Sequence, residues 1–213
     1  MEPGVRIVVL VHGAGSGPWV FDDWELPGAV AVDLHEGLDV ANASMRDYAE
    51  RVAAAIAGAP DPAGVVGWSM GGLVAMMGAA MTPPAALVAI EPSAPAEVLG
   101  LHPGVALRSG TFDPETAYGP LPQGMRTRPE SLRARSERKR GISVPAIPCP
   151  FLVVSGAEFP EERGRAVADH YRADHFAFPG LRHFDLVRNP RVRRVVAGWL
   201  QGAGEPGGAS IAW

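Results

Sequence analysis

The sequence is poor in the features that would place a chain outside the cell, in a membrane or on nucleic acid. It has one cysteine, so no disulfide can form within the chain. Cys149 opens an apolar run, which predicts a buried strand thiol rather than a catalytic one and fits a reducing cytoplasm. Long apolar runs are also missing: the first, residues 7–11, breaks at His12-Gly13, so neither a signal peptide nor a membrane span is expected. No basic stripe dominates the chain and the formal net charge is −4, which argues against nucleic acid as a partner. Lysine is nearly absent, Lys139 being the only one among 19 Lys and Arg residues. What the chain does have is 47% hydrophobic residues, enough for one substantial core, and its 213 residues predict a single domain, 1–213.

Short β-branched runs alternate with helical patterns. Residues 6–11, 29–34, 85–90, 150–156 and 175–180 read as strands buried in a parallel sheet, with a further strand ending at Val65-Val66-Gly67-Trp68. Ser44-Met45-Arg46-Asp47 is a capping box, and Met45, Tyr48, Ala49, Val52, Ala53 and Ile56 then recur at helical spacing up to Gly58. A helix after Ser69 should bury Leu73, Val74, Met76, Met77 and Ala80 before Pro83-Pro84 stops it. A helix is expected over 161–171, and Asn189 should cap a last one that has Pro190 at its first position and Val192, Val195, Val196, Trp199 and Leu200 inward. Residues 202–213 are a Gly-rich tail expected to be loose. The fold class expected is α/β, a mostly parallel sheet of about six strands flanked by helices.

The chemistry concentrates at Gly67-Trp68-Ser69-Met70-Gly71. A β-branched run enters Gly-x-Ser-x-Gly and leaves it as a helix, the pattern of a nucleophile elbow. Its glycines are needed where a Cβ would strike neighbouring backbone. Ser69 is the candidate nucleophile. At the start of the helix, the Met70 N–H can face an oxyanion, and after the first strand the Gly-rich loop His12-Gly13-Ala14-Gly15 offers the Ala14 N–H as second donor. His12, Asp33 and Asp185 read as structural, and His35 as a surface loop residue.

With a His-Gly loop, an elbow and a late Gly180-Leu181-Arg182-His183 in that order, the chain resembles the α/β-hydrolase superfamily in its serine-nucleophile branch, over roughly residues 5–200 outside an insertion. The two antiparallel strands usual at the start of that family are missing, so the resemblance is to a minimal version. It implies that His183 is the general base, and that an acid should fix the imidazole tautomer. The family pattern after the fifth strand is Gly-x-x-Asp, but Gly156-Ala157-Glu158-Phe159 puts Phe159 in the acid's place. Glu158, one residue early and one methylene longer, is the acid expected here; Glu91, after the fourth strand, is the alternative, since some members take the acid from there.

Serine rather than aspartate at the elbow points to acyl transfer to water, on a small-molecule ester or thioester, with neither cofactor nor metal. Non-hydrolytic members share the scaffold: a lyase of the hydroxynitrile type, against which the position of Lys139 counts, or a cofactor-free peroxidase. The stretch 67–75 looks like the elbow of the carrier-protein methyl esterases of biotin synthesis, which makes an acyl carrier protein a possible partner. Residues 96–148 lack sheet patterning and are expected to form a cap or lid with a helix over 130–140. Leu99, Leu101, Leu107 and Phe112 should line its acyl pocket. Arg126, Arg128, Arg133, Arg135, Arg138, Lys139 and Arg140 would then form either a carrier-docking rim or a solvated helix face.

Overall fold

A computed structural model describes residues 5–26, 28–60 and 62–202. The expected loose tail therefore lies outside the described residues, except for Gly202, which closes the last helix. Six strands form the main sheet: β1 (Ile7–Val11), β2 (Ala29–Val32), β3 (Ala63–Trp68), β4 (Ala86–Ile90) and, after an insertion containing the two-residue strands β5 (Thr111–Phe112) and β6 (Glu130–Ser131), β7 (Phe151–Ser155) and β8 (Asp174–Ala177). Their order is β2-β1-β3-β4-β7-β8, and every pairing is parallel. The order reverses between β1 and β3, the switch point outside whose carboxyl ends such sheets bind ligands.

Strand alternation divides the core in two. Val9, Val11, Val65, Leu87, Ala89 and Val153 face one layer, with helices α1 (Met45–Ala57) and α2 (Met70–Met81). Val8, Leu10, Val66, Trp68, Val88, Ile90, Leu152 and Val154 face the other, with the two last helices, α7 (His183–Arg188) and α8 (Pro190–Gly202). Between them come α3 (Ala96–Leu99), α4 (Pro114–Tyr118), α5 (Leu132–Arg140) and α6 (Ala166–Tyr171), α6 being preceded by a π-helical turn at Glu161–Arg165. The Ser44 capping box is formed, and α1 buries the six residues its periodicity indicates. α8 likewise buries Val192, Val195, Val196, Trp199 and Leu200, and the Asn189 side chain accepts from Arg191 N–H. α2 lies between the sheet and α1 and is buried on nearly all sides, although Ala80, expected inside, is exposed.

Register aligns the carboxyl ends. Val11 pairs with Gly67, Trp68 with Ile90, and Ile90 with Val154. Residues one step beyond these strands thus stand side by side along one edge. Two expectations fail in this region. Cys149 is half-buried, two residues ahead of β7 rather than within a strand, and burial pushes its thiol up to about 11. Leu99, Leu101 and Leu107 are exposed and do not line the cavity over Ser69, although Leu99 borders a smaller hollow beside it. None of the described helices is long and apolar enough to cross a membrane.

Candidate active site

Ser69 leaves β3 with φ 58° and ψ −121°, a conformation that non-glycine residues rarely adopt and that costs of order 1–3 kcal/mol. The turn is held from both sides: Ser69 N–H donates to Ile90 O at 3.0 Å, and Gly72 N–H donates to Ser69 O at 3.0 Å. A Cβ on Gly67 would stand 2.3 Å from Gly71 O, and one on Gly71 would stand 2.3 Å from the carbonyl oxygens of Val11 and His12. The two glycines let α2 start directly against β1.

His183, at the start of α7, brings Nε2 to 2.9 Å from Ser69 Oγ. Its Nδ1 lies 2.5 Å from Glu91 Oε2, not from Glu158. The carboxylate expected second is therefore the one on the imidazole, and the preference for Glu158 is corrected. Glu91 follows β4 at φ 41°, is fully buried, and accepts Gly156 N–H on Oε1 at 2.8 Å. Glu158 instead accepts the backbone N–H of His183 at 2.9 Å and Arg182 Nε at 3.1 Å. Burial alone would raise its pKa, but these two donors outweigh burial and lower it. Phe159, in the family's acid position, presents its edge to the imidazole, with ring centres 5.7 Å apart. On another side Trp68 stacks on the same ring at 5.2 Å and donates Nε1–H to the carbonyl of His183 at 3.2 Å. The base is thus fixed in backbone and ring by groups from three strand ends.

The loop after β1 is gripped by the insertion. Gly15 N–H donates to Glu130 Oε2 at 3.0 Å, Arg128 N–H to Gly15 O at 2.9 Å, and Arg128 Nε to Ser16 O at 2.9 Å. Gly15 is at φ 70°, and a Cβ there would strike Pro114 Cγ at 2.2 Å. Among the described residues, no protein acceptor takes the N–H of Ala14 or of Met70, the two donors expected to face an oxyanion. Glu130 is wholly buried, and its Oε1 also meets Tyr48 Oη at 2.7 Å, Ser131 N–H at 2.8 Å and His35 Nε2 at 3.1 Å. Burial would raise the Glu130 pKa, but the bond and charge of His35, followed by Tyr48 and Gly15, lower it to about 2.

His35 is consequently not a surface residue: its side chain is 8% exposed and stacks on Tyr48. His12 is structural, as expected. Leu34 N–H donates to its Nε2 at 3.1 Å while Nδ1 faces Gly13 O at 2.9 Å, and burial lowers its pKa. Asp33 pairs with Arg128 Nη1 at 3.0 Å and Nη2 at 2.5 Å. Asp185 accepts Arg182 N–H at 3.3 Å within the start of α7.

A cavity of about 540 Å³ opens over Ser69 and His183, walled by Ala14, Trp68 and Phe159 from the sheet edge and by Tyr118, Leu121 and Met125 from the insertion. These three, not the leucines expected, supply the insertion's apolar wall. The basic residues of the insertion do not form one continuous face, although Arg135, Arg138 and Lys139 border a common hollow. Arg133 pairs with Glu137, Arg126 lies over Trp19, Arg135 over Phe112 and Tyr118, and Arg128 is tied to Asp33. Arg138 turns into the cavity, as does Arg163, which sequence reasoning passed over. Glu130 and Arg128 were equally invisible as holders of the 13–16 loop, because their partners lie more than 100 residues away and carry no local signal.

A parallel sheet with a strained serine, a histidine and a buried carboxylate in one hydrogen-bonded line at its carboxyl edge defines the class of protein: an α/β fold of the hydrolase kind. The chain belongs to the alpha/beta hydrolase family, whose model matches residues 8–203. A curated relative, the pimeloyl-[acyl-carrier protein] methyl ester esterase of Neisseria meningitidis, is 40% identical over 88 residues, a match spanning 39% of this chain and 28% of that protein. Among solved structures, a lipase-esterase related protein from Clostridium acetobutylicum matches with TM-score 0.64 at 17% identity, over 92% of this chain and 93% of that one. A pyrethroid hydrolase from Sphingobium faniae matches with TM-score 0.66 at 17% identity, over 92% and 97%. At these identities the likeness is one of fold.

Proposed function

We propose that the chain is a serine hydrolase that cleaves esters or thioesters of small molecules through an acyl-enzyme intermediate, with Ser69 as nucleophile, His183 as general base and Glu91 as the acid. The observation that carries this reading is the line from Ser69 Oγ through His183 to Glu91, with contacts of 2.9 and 2.5 Å, at the floor of a cavity. Family membership and the names of the matched proteins, esterases and hydrolases, support it.

Ser69 Oγ attacks the carbonyl carbon as its proton passes to His183 Nε2. The carbonyl oxygen becomes an oxyanion that can accept from Ala14 and Met70 N–H, and loss of one such donor typically costs about 2.7–4 kcal/mol of transition-state stabilisation. Collapse breaks the bond to the alcohol or thiol, which leaves with the proton from His183. Water then attacks the acyl-serine, giving its proton to His183, and the acid departs as Ser69 regains its hydrogen. Glu91, already satisfied on Oε1 by Gly156, holds Nδ1–H and stabilises the imidazolium. Trp68 and Phe159 shield the ring from water, and away from water charge interactions are stronger. The scheme uses only side chains, two backbone N–H groups and water.

The segment 96–148 is the cap in this reading, since it closes the cavity and fixes the oxyanion loop. A carrier-borne acyl group is the second reading, favoured by the likeness to the Neisseria meningitidis pimeloyl-[acyl-carrier protein] methyl ester esterase. The test is labelling with a fluorophosphonate followed by a panel of p-nitrophenyl esters. Ser69 should be the only serine modified, and Ser69→Ala should lose both label and turnover while keeping its circular dichroism spectrum. Label on another serine, or full activity in the alanine variant, overturns the assignment; a labelled Ser69 without ester turnover favours a lyase or peroxidase use of the same site.

A further inference from the structure

Two guanidinium groups stand at the cavity without carboxylate partners. Arg138, from α5, donates Nη1–H to Ser93 Oγ at 3.3 Å, but its Nε and Nη2 are buried with no hydrogen-bond partner. Arg163, from the turn after β7, lies 3.9 Å above the Phe159 ring, and neither arginine takes part in an ion pair among the described residues. Burial lowers the Arg163 pKa; the charge of Glu91 opposes this, and that of Arg138 adds to it. Two guanidinium nitrogens of Arg138 withdrawn from water without a partner are unfavourable, and the half-buried Arg163 adds a second positive charge to the same wall, so the arrangement is poor as a structural device.

Both groups are coupled to the reacting residues. Ser93, which anchors Arg138, donates its own N–H to Ser69 O at 2.9 Å, and Phe159, on which Arg163 rests, touches the His183 ring. A second hollow of about 290 Å³ shares Ser93, Tyr118, Arg138 and Arg163 with the main cavity and is lined further by Arg135 and Lys139, with no carboxylate among its lining residues. The acidic groups of the main cavity, Glu158 and Asp185, are engaged with Arg182.

We propose that the substrate is an ester or thioester bearing an anionic group, a carboxylate or phosphate, which Arg138 and Arg163 bind while the carbonyl sits at Ser69. The guanidinium fork matches either anion, and the free Nε–H and Nη2–H of Arg138 form the edge that a two-oxygen acceptor requires. The inference rests on the hydrolase reading for its ester, but the anion site itself does not.

The experiment compares three sets of substrates: mono-p-nitrophenyl esters of straight-chain dicarboxylic acids, p-nitrophenyl alkanoates of matching length, and matching esters that end in a phosphate. For at least one chain length, kcat/KM should favour an anionic ester over its neutral counterpart by roughly 10–100-fold, the range expected of hydrogen bonds to a charged group. Whichever anion shows the larger preference identifies the source. Arg138→Gln and Arg163→Gln should each cut the anionic-to-neutral ratio about tenfold or more, with Arg163→Lys keeping part of it. Fluorophosphonate labelling of each variant verifies an intact site. A ratio near one for both anions at every length overturns the inference and leaves the hydrolase reading standing. Separately, adipate and inorganic phosphate are titrated into the Ser69→Ala protein by calorimetry. Where no ester is turned over, saturable binding that Arg138→Gln abolishes supports the anion site, and absence of binding by both probes removes it.

Discussion

Ser69 and Glu91 both hold positive φ, 58° and 41°, one residue past the ends of neighbouring strands. Two strained, adjacent residues with reactive side chains are an expense the fold tolerates where position matters most. For Glu91 the result is a carboxylate wholly withdrawn from water, with one oxygen on Gly156 N–H and the other on the imidazole. Glu91→Gln should therefore lower kcat by roughly 10⁴-fold, the scale of a mis-set tautomer in a Ser-His-acid triad. Glu158→Gln should lower it much less, because Glu158 touches the backbone N–H of His183 and not its ring. Steady-state kinetics on one p-nitrophenyl ester checks both, and the opposite ranking would return the acid to Glu158. The sequence pointed to Glu158 through the position of the family's acid after β7, and nothing local to Glu91 marks the φ that turns its side chain toward His183.

At the scale of elements, the elbow depends on how closely α2 approaches β1. Gly71→Ala would push a methyl group against two backbone carbonyls, neither of which can rotate aside. The expected cost is about 1–3 kcal/mol. It should appear as a lower denaturation midpoint together with slower fluorophosphonate labelling, and unchanged labelling would mean that the helix shifts without moving Ser69. The regular elements were readable in advance because their signals are local: a capping box and six spaced apolar residues for α1, five for α8, and short β-branched runs for the strands. The elbow and the late histidine were readable for the same reason. The insertion was not, since β5, β6 and α4 are too short to have a period, and its side chains are sorted by partners far away in the chain. Composition alone points to Leu99 and Leu101 as lining of the cavity over Ser69, whereas it is Tyr118, Leu121 and Met125 that reach it, through turns that composition does not encode. The basic run on α5 looked uniform, yet Arg133, Arg135 and Arg138 have three different surroundings.

Across the whole molecule, Glu130 joins the insertion to the sheet. It binds Gly15 in the loop after β1, Tyr48 on α1 and His35 after β2 from a fully buried position. With its pKa held at about 2 against an ordinary 4.5, its contribution to stability is complete above about 4.5 and is lost as pH falls from there toward 2. Denaturant midpoints measured across that window should fall with pH in the wild type, and in Glu130→Gln they should start lower and depend less on pH. A variant with an unaltered acid profile would show that other carboxylates govern acid unfolding. Finally, an acid rooted in β4 has a consequence for how the protein can change. In the proposed mechanism the acid belongs to β4, while the segment after β7 brings Arg163 to the substrate's surroundings and steadies the reacting groups only through Gly156, Glu158 and Phe159. Selection can therefore vary Arg163 for a new substrate and leave the acid in place, as long as those three contacts are kept.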